Sequence, residues 1–314
     1  MKTNIKLIMA FAIAMSVVFT SCKKTDTVDN TDNSNELSTH SEDQARVSGD
    51  VDDVADDVNG VVDGFDAFTG SRTYNTDNPN SVICNGTAVL DSTATDRRIT
   101  ITYNGVNCVG NRIRDGIVIV TMPLATRWRD VGAVITVTTQ SLRITRVRDN
   151  RSITISGTQT YTNVSGGLLR NLPTLGTVTH DINSAGITVT FDNNSQRSWQ
   201  VARRRVFTYN NGVVITVTGR HTDGNITGIS EWGTNRFGNS FVTSITQPMV
   251  VRQDCNFRLV SGEVKHQKLA ASIVATFGLD STGNPTGCPG TGTYYFKTVW
   301  TGANGIVRTV ILPY

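Results

Sequence analysis

Arginine is the residue that most suggests chemistry in this chain. Of the 24 basic residues between Ser71 and Tyr314, only Lys265, Lys268 and Lys297 are lysine. Arg97-Arg98, Arg112 with Arg114, Arg127 with Arg129, the run from Arg143 to Arg151 and Arg203-Arg204-Arg205 fall in or beside strand-like segments. A guanidinium presents a planar fork of donors that fits carboxylates, sulfates and phosphates. On an antiparallel sheet, same-face residues of adjacent strands lie about 5 Å apart, so these positions can assemble into a basic stripe. The chemistry this implies is recognition of an anionic glycan or lipid. Arg203, Arg204, Arg205, Arg143, Arg146 and Arg148 are the candidate ligands. The plainer alternative is a solvated face whose charges discourage edge pairing. A third is intramolecular. Residues 22–70 hold 13 acids against 3 bases, a net −10, while the rest of the chain from Ser71 holds 24 bases against 13 acids, a net +11. An acidic segment could therefore dock on a basic body.

Groups suited to catalysis are few. The four histidines, His40, His180, His221 and His266, show no metal-ligand spacing such as His-x-His. His221 sits with Asp223 at a turn, where a surface role is the simpler reading. There is no Gly-x-Ser-x-Gly elbow for a serine nucleophile. Paired carboxylates for glycoside hydrolysis are not evident, since Glu231 and Glu263 are the only glutamates after Ser71 and most aspartates there mark turns. Gly287 to Gly292 has no helix after it to cradle a phosphate. Near Asp57, Asn59, Gly60 and Asp66 a calcium loop fails, because Ala55 stands at the first ligand position. Trp128, Trp199, Trp232 and Trp300 are too scattered for a stacking platform, which argues against nucleic acid. The expectation is a non-enzymatic protein without catalytic residues, metal or cofactor.

The elements that must carry these residues follow from composition and periodicity. Residues 1–21 read as a secretory signal: Lys2 and Lys6, an apolar run from Leu7 to Phe19, then Thr20 and Ser21. That run is shorter than the roughly 20 residues a spanning helix needs. The stretch Val18-Phe19-Thr20-Ser21-Cys22 resembles a bacterial lipobox, which implies lipidation of Cys22 and attachment to membrane lipid. Residues 22–45 are polar and almost free of apolar side chains, the pattern of a flexible tether. Over 46–70, Val47, Val51, Val54, Val58, Val62 and Phe65 recur at helical spacing among aspartates, which predicts a short acidic amphipathic helix. From 71 to 314, runs such as Ile99-Thr100-Ile101-Thr102, Ile135-Thr136-Val137-Thr138 and Ile215-Thr216-Val217-Thr218 alternate with period two. Asn104-Gly105, Asp115-Gly116, Asn211-Gly212 and Asp223-Gly224 read as turns. No crossover helix interrupts them, so the sheet is expected to be antiparallel. The fold class is all-β, a meander of roughly fourteen strands as a sandwich, a curled open sheet or a partial barrel.

An exported chain favours disulfides, and Cys84, Cys108, Cys255 and Cys288 allow three pairings. Cys84 with Cys108 and Cys255 with Cys288 is the preferred set, because each closes a modest loop. Asp26-Thr27-Val28, Asp91-Ser92-Thr93 and Asp280-Ser281-Thr282 also match a short bacterial O-glycosylation pattern.

Cys84, the run from Arg98 to Gly105, Cys108 and the stretch Gly110-Asn111-Arg112-Ile113-Arg114-Asp115-Gly116-Ile117-Val118-Ile119 form a connected pattern. Val214 to Gly219, Gly238 to Val250, and Cys255 through Ser261-Gly262-Glu263-Val264 to Cys288 continue it. Together, over most of residues 80–312, these resemble uncharacterised lipoproteins of the Bacteroidota. The resemblance implies an exported, lipid-anchored, all-β protein with two disulfides, and it implies no activity. Where that family often has Asp-Phe-Gly or Asp-Tyr-Gly before the second cysteine, this chain has Tyr103-Asn104-Gly105 and Phe277-Gly278-Leu279.

The reading is therefore an outer-membrane lipoprotein, on either face, that binds a ligand or partner through an arginine-rich sheet face. The runner-up is a carrier of an apolar ligand in an open β half-barrel. Oligomeric state is left open by the sequence.

Overall fold

A computed structural model of the chain describes residues 31–70, 83–268, 271–288, 292–302 and 305–314. The expected signal segment, Cys22 and Thr27 lie outside the described residues. Two helices come first, α1 (Thr31–Gly64) and α2 (Asp66–Thr69). Strands follow as β1 (Gly86–Ser92), β2 (Asp96–Val106), β3 (Arg112–Pro123), β4 (Ala133–Arg146) and β5 (Ser152–Asn163). Next are β6 (Thr177–Phe191), β7 (Gln196–Tyr209), β8 (Val213–Gly219), β9 (His221–Asp223) and β10 (Ile226–Thr234). The last are β11 (Ser240–Arg252), β12 (Arg258–Lys268), β13 (Ala271–Leu279), β14 (Tyr295–Thr301) and β15 (Val307–Pro313). All fifteen join one antiparallel sheet in nearly sequential order. The all-β expectation holds, with fifteen strands among the described residues against the roughly fourteen expected.

The order departs from a simple meander at one place. Arg203–Tyr209 of β7 pairs with β8, whereas Ser198–Val201 pairs with β10, so β8 and β10 occupy a single sheet position end to end. Arg220 still donates to Ala202 at 2.9 Å, and Glu231 is next in register opposite Val201. Residues 221–230 are thus inserted between the two stretches paired to β7 as a small hairpin whose Ile229 still pairs with Ser244 of β11, with His221 stacked on Trp232 at 4.1 Å. This detour sets Glu231 on the same face as Val201.

The sheet is curled, and α1 lies in the curl. Adjacent residues Asp56 and Asp57 reach Arg205 on β7 and Arg114 on β3, each at 2.8 Å. On a flat sheet, four strand positions span about 19 Å, more than two neighbouring side chains can bridge. A row of bulges supplies the bend. Register shifts fall at Asp115/Ile117 on β3, Thr139/Leu142 on β4, Gly157/Gln159 on β5 and Asn183/Ile187 on β6. Gly116 and Gly157 sit at two of them with φ +139° and +146°. A Cβ there would meet Leu142 Cα and Gly186 O at 2.7 Å, so glycine is required for the strands to close up.

Valine and aspartate are poor helix formers, so α1 depends on packing rather than propensity. Val47, Val58, Val61 and Val62 are fully buried, with Val51, Val54 and Ala55 nearly so, in one core with Ile99, Val118, Ile135, Val137, Trp199 and Phe241. Each such valine contributes about 1.5 kcal/mol or more by burial.

The helix begins at Thr31, fifteen residues before the start that periodicity suggested, and takes in residues expected as flexible tether. The polar stretch is ordered by polar partners rather than by an apolar stripe. Glu36 accepts from Asn235 and Asn239 at 2.9 and 2.7 Å, and Asp43 pairs with Arg236. Gln44 accepts from Arg197 at 2.6 Å, and His40 packs on Phe241 at 4.7 Å. No described helix is long and apolar enough to cross a membrane. Disulfides join Cys84 to Cys108 and Cys255 to Cys288, with Cα separations of 5.2 and 5.3 Å.

Candidate functional site

Strand alternation sorts the arginines into those that line the trough and those that do not. Arg112 and Arg114 on β3 and Arg146 on β4 form one rail; Arg197, Arg203 and Arg205 on β7, with Arg236 after β10, form the other. Arg114, Arg146, Arg197, Arg203 and Arg205 are all buried. The helix answers each rail with carboxylates. Asp50 accepts from Arg112 at 2.7 Å and also lies 3.7 Å from Arg46 of its own helix. Asp57 accepts from Arg114 and, at 3.1 Å, from the Tyr103 hydroxyl. Asp52 pairs with Arg203 at 3.0 Å and Asp56 with Arg205 at 2.8 Å.

Glu231 closes the deepest of these networks. It accepts from Ser48 Oγ at 2.7 Å and from Trp199 Nε1 at 3.0 Å, and it pairs with Arg203. It is 1% exposed. Sequence reasoning passed over it; a lone acid inside Ile229-Ser230-Glu231-Trp232, opposite a strand of arginines, was the available signal.

Six candidate arginines were expected on one exposed face, and the trough corrects that. Arg203 and Arg205 are covered by α1, so the anion they hold is the chain's own helix. Arg204 points to the opposite face and is clamped by Asp181 at 2.7 Å through both oxygens. Arg143 also faces away from the trough, donating to Ser152 Oγ at 3.1 Å. Arg146 pairs with Asp149 and, at 3.5 Å, with Glu42. Of these six, only Arg148, exposed in the β4–β5 turn, has no hydrogen bond or ion pair among the described residues. The physical reason is the period of two: consecutive arginines cannot share a face.

The enclosed space between Val51, Asp52, Tyr161, Trp199 and Arg203 is about 10 Å³, room for one water. That space is too small for an apolar cargo. A larger opening, about 490 Å³, lies outside the trough between the β2–β3 and β4–β5 turns. Gly110, Asn111, Arg112, Arg146, Val147 and Arg148 line it. Val147 donates to Asn111 O at 3.1 Å and ties the two turns together. Arg112 and Arg146 stand directly opposite in register, a like-charge pairing that is unfavourable unless compensated.

Electrostatics further narrow the chemistry. Burial lowers His180 to about 3 and His266 to about 4, so neither is a proton shuttle near neutral pH. His180 sits between Trp128 and Phe207, at 5.0 and 5.2 Å. Burial raises Asp43 and Asp57 against the pull of Arg236 and Arg114, and it lowers Arg197 to about 10. Among the described residues, the one metal-like cluster is Asp254 with Cys255 and Cys288, whose sulfurs are joined in a disulfide.

At the C-terminal end of α1, burial pushes Asp63 up to about 6, although backbone N–H groups of Arg170 and Leu169 favour its charge. The folded chain then holds this proton more tightly than the unfolded chain, whose carboxyl titrates near 3.8. The associated stability is full below about pH 4 and is lost as pH rises towards 6. Asp63→Asn is expected to stabilise the protein at pH 7 by up to about 2 kcal/mol, with the gain vanishing near pH 4. Urea midpoints of both chains at pH 4, 5.5 and 7 check this; a pH-independent difference would contradict it.

Comparison of the chain with protein-family models, with curated proteins and with solved structures finds no match.

Proposed function

We propose that this protein is a non-enzymatic, lipid-anchored envelope lipoprotein that binds an anionic group at the arginine-lipped opening between the β2–β3 and β4–β5 turns. Attachment is through Cys22, which precedes the first residue of α1 by nine positions, and the outer membrane is the compartment this suggests. The observation that carries the binding reading is the meeting of Arg112, Arg146 and the unengaged Arg148 around an opening of about 490 Å³. Arg112 and Arg146 are already held by Asp50, Asp149 and Glu42, so a sulfate or phosphate group seated there gains chiefly the guanidinium of Arg148. Sulfated glycans and phosphate-bearing lipid headgroups share this chemistry.

An array of glycans and lipids probed at low and high salt with the chain lacking only its lipid anchor, α1 included, tests the reading. Binding to sulfated or phosphorylated members that fades with salt is expected. Arg148→Ala, which removes no packing, should weaken it about tenfold, the worth of one hydrogen bond to a charged group. Absence of binding at low salt, or unchanged affinity in the variant, overturns the assignment.

A further inference from the structure

The last strand of the sheet has an edge that matches itself. Tyr314 donates to Tyr294 O at 2.9 Å and Gly302 donates to Ile306 O at 2.9 Å, and both pairs continue the β14–β15 register. Hydrogen-bonded pairs in an antiparallel ladder alternate. The backbone groups of Arg308, Val310 and Leu312 therefore turn towards β14, and those of Val307, Thr309 and Ile311 turn outward. No hydrogen bond to another described residue engages these outward groups. Pro313, the next outward position, has no donor to leave unpaired.

Both faces of this strand are exposed as well. Val307 is 58% exposed, Val310 48% and Leu312 40%, with only Arg308 as a charged guard. Most proteins blunt such an edge with charge, cover or closure. The opposite edge is different: Ala88 on β1 already has an interaction partner, and Asp91 and Ser92 end that strand.

We infer that the β15 edge pairs antiparallel with β15 of a second copy of this chain, about a two-fold axis at Thr309. In that register Val307 meets Ile311 of the second copy, Thr309 meets Thr309, and Arg308 lies beside Val310. All three outward donors in each copy find carbonyl acceptors, giving six new hydrogen bonds without calling on Pro313. Cross-strand pairs of β-branched residues form on one face, and Arg308 is kept from facing its own copy. The contact is isologous, so it closes at two copies and does not propagate. A seven-residue edge buries less than the roughly 1,200 Å² of a stable interface, so the dimer is weak and populates at high local concentration.

Sedimentation equilibrium of the purified chain, taken towards roughly millimolar concentration, should show a reversible dimer of weak affinity. Thr309→Pro removes an outward donor and no bond to β14, so it should leave the fold and thermal midpoint unchanged while abolishing the dimer. Thr309→Ser should dimerise as the parent does. In parallel, hydrogen exchange at Val307, Thr309 and Ile311 should slow as concentration rises. A chain that stays monomeric throughout, or a dimer that survives Thr309→Pro, overturns the inference. Capture of an extended peptide in place of a second copy also overturns it.

Discussion

Glu231→Ala is expected to destabilise the protein by about 3–5 kcal/mol, the cost of stranding one member of a buried ion pair. The glutamate is almost wholly inaccessible and accepts from Ser48, Trp199 and Arg203 at once. Without it, the Trp199 N–H has no acceptor, and Arg203 keeps only the Ser48 hydroxyl and one charged partner, Asp52, whose side chain is 44% exposed. Asp52→Ala is the informative control. It removes an exposed partner of the same arginine and should cost under about 1 kcal/mol. Urea titration reads both, as a large shift in midpoint for Glu231→Ala and a small one for Asp52→Ala. Equal and small losses would mean that the network does not hold the helix against β7 and β10.

Val58→Asp is expected to be at least as damaging, costing about 4 kcal/mol or more, because it places an unpaired carboxylate among apolar side chains. Val58 has no exposed surface and packs in the shared core of helix and sheet. Helix propensity differs little between valine and aspartate, so burial dominates the effect. Val58→Ala, which removes two methyl groups, should cost about 2 kcal/mol. Limited proteolysis distinguishes the routes by which Val58→Asp is accommodated. Cleavage within residues 31–70 while the two disulfide-bonded ends of the sheet survive marks release of α1. Cleavage throughout marks loss of the whole fold. No change in either stability or proteolysis would show that α1 is not buried.

How much of this was readable from residues depends on how local each cause is. Period-two runs placed the strands, because alternation depends only on neighbours in the chain. The spacing of Val47, Val51, Val54, Val58 and Val62 marked the buried stripe of α1 for the same reason. Its first half was hidden, since Glu36, Asp43 and Gln44 are ordered by Asn235, Asn239, Arg236 and Arg197, some 150 to 200 residues away. Glycine signals were read correctly as positive-φ sites and wrongly as turns in two cases. Asn211-Gly212 and Asp223-Gly224 do turn the chain. Asn104-Gly105 and Asp115-Gly116 instead lie within β2 and β3, with Asn104 opposite Asp115, and Gly116 helps to bend the sheet.

The arginines were conspicuous in composition, but their roles depend on face and register. Arg203 and Arg205 point inward to the helix and Arg204 outward to Asp181, a division that alternation predicts once the strand is known. The near cancellation of acidic and basic charge between the two parts of the chain did carry the essential arrangement. It could not say which acid meets which arginine. Nor could it foresee that Arg148 would stand without a hydrogen bond or ion pair among the described residues, beside an opening of about 490 Å³.

The curled sheet holds α1 as a buried structural member. Native-state hydrogen exchange of the backbone amides from Val47 to Val62 tests this most directly. These amides are expected to exchange as slowly as those of β7 and β10, through global unfolding alone. Exchange of the segment on the timescale of an isolated peptide, with β7 and β10 still protected, would contradict it.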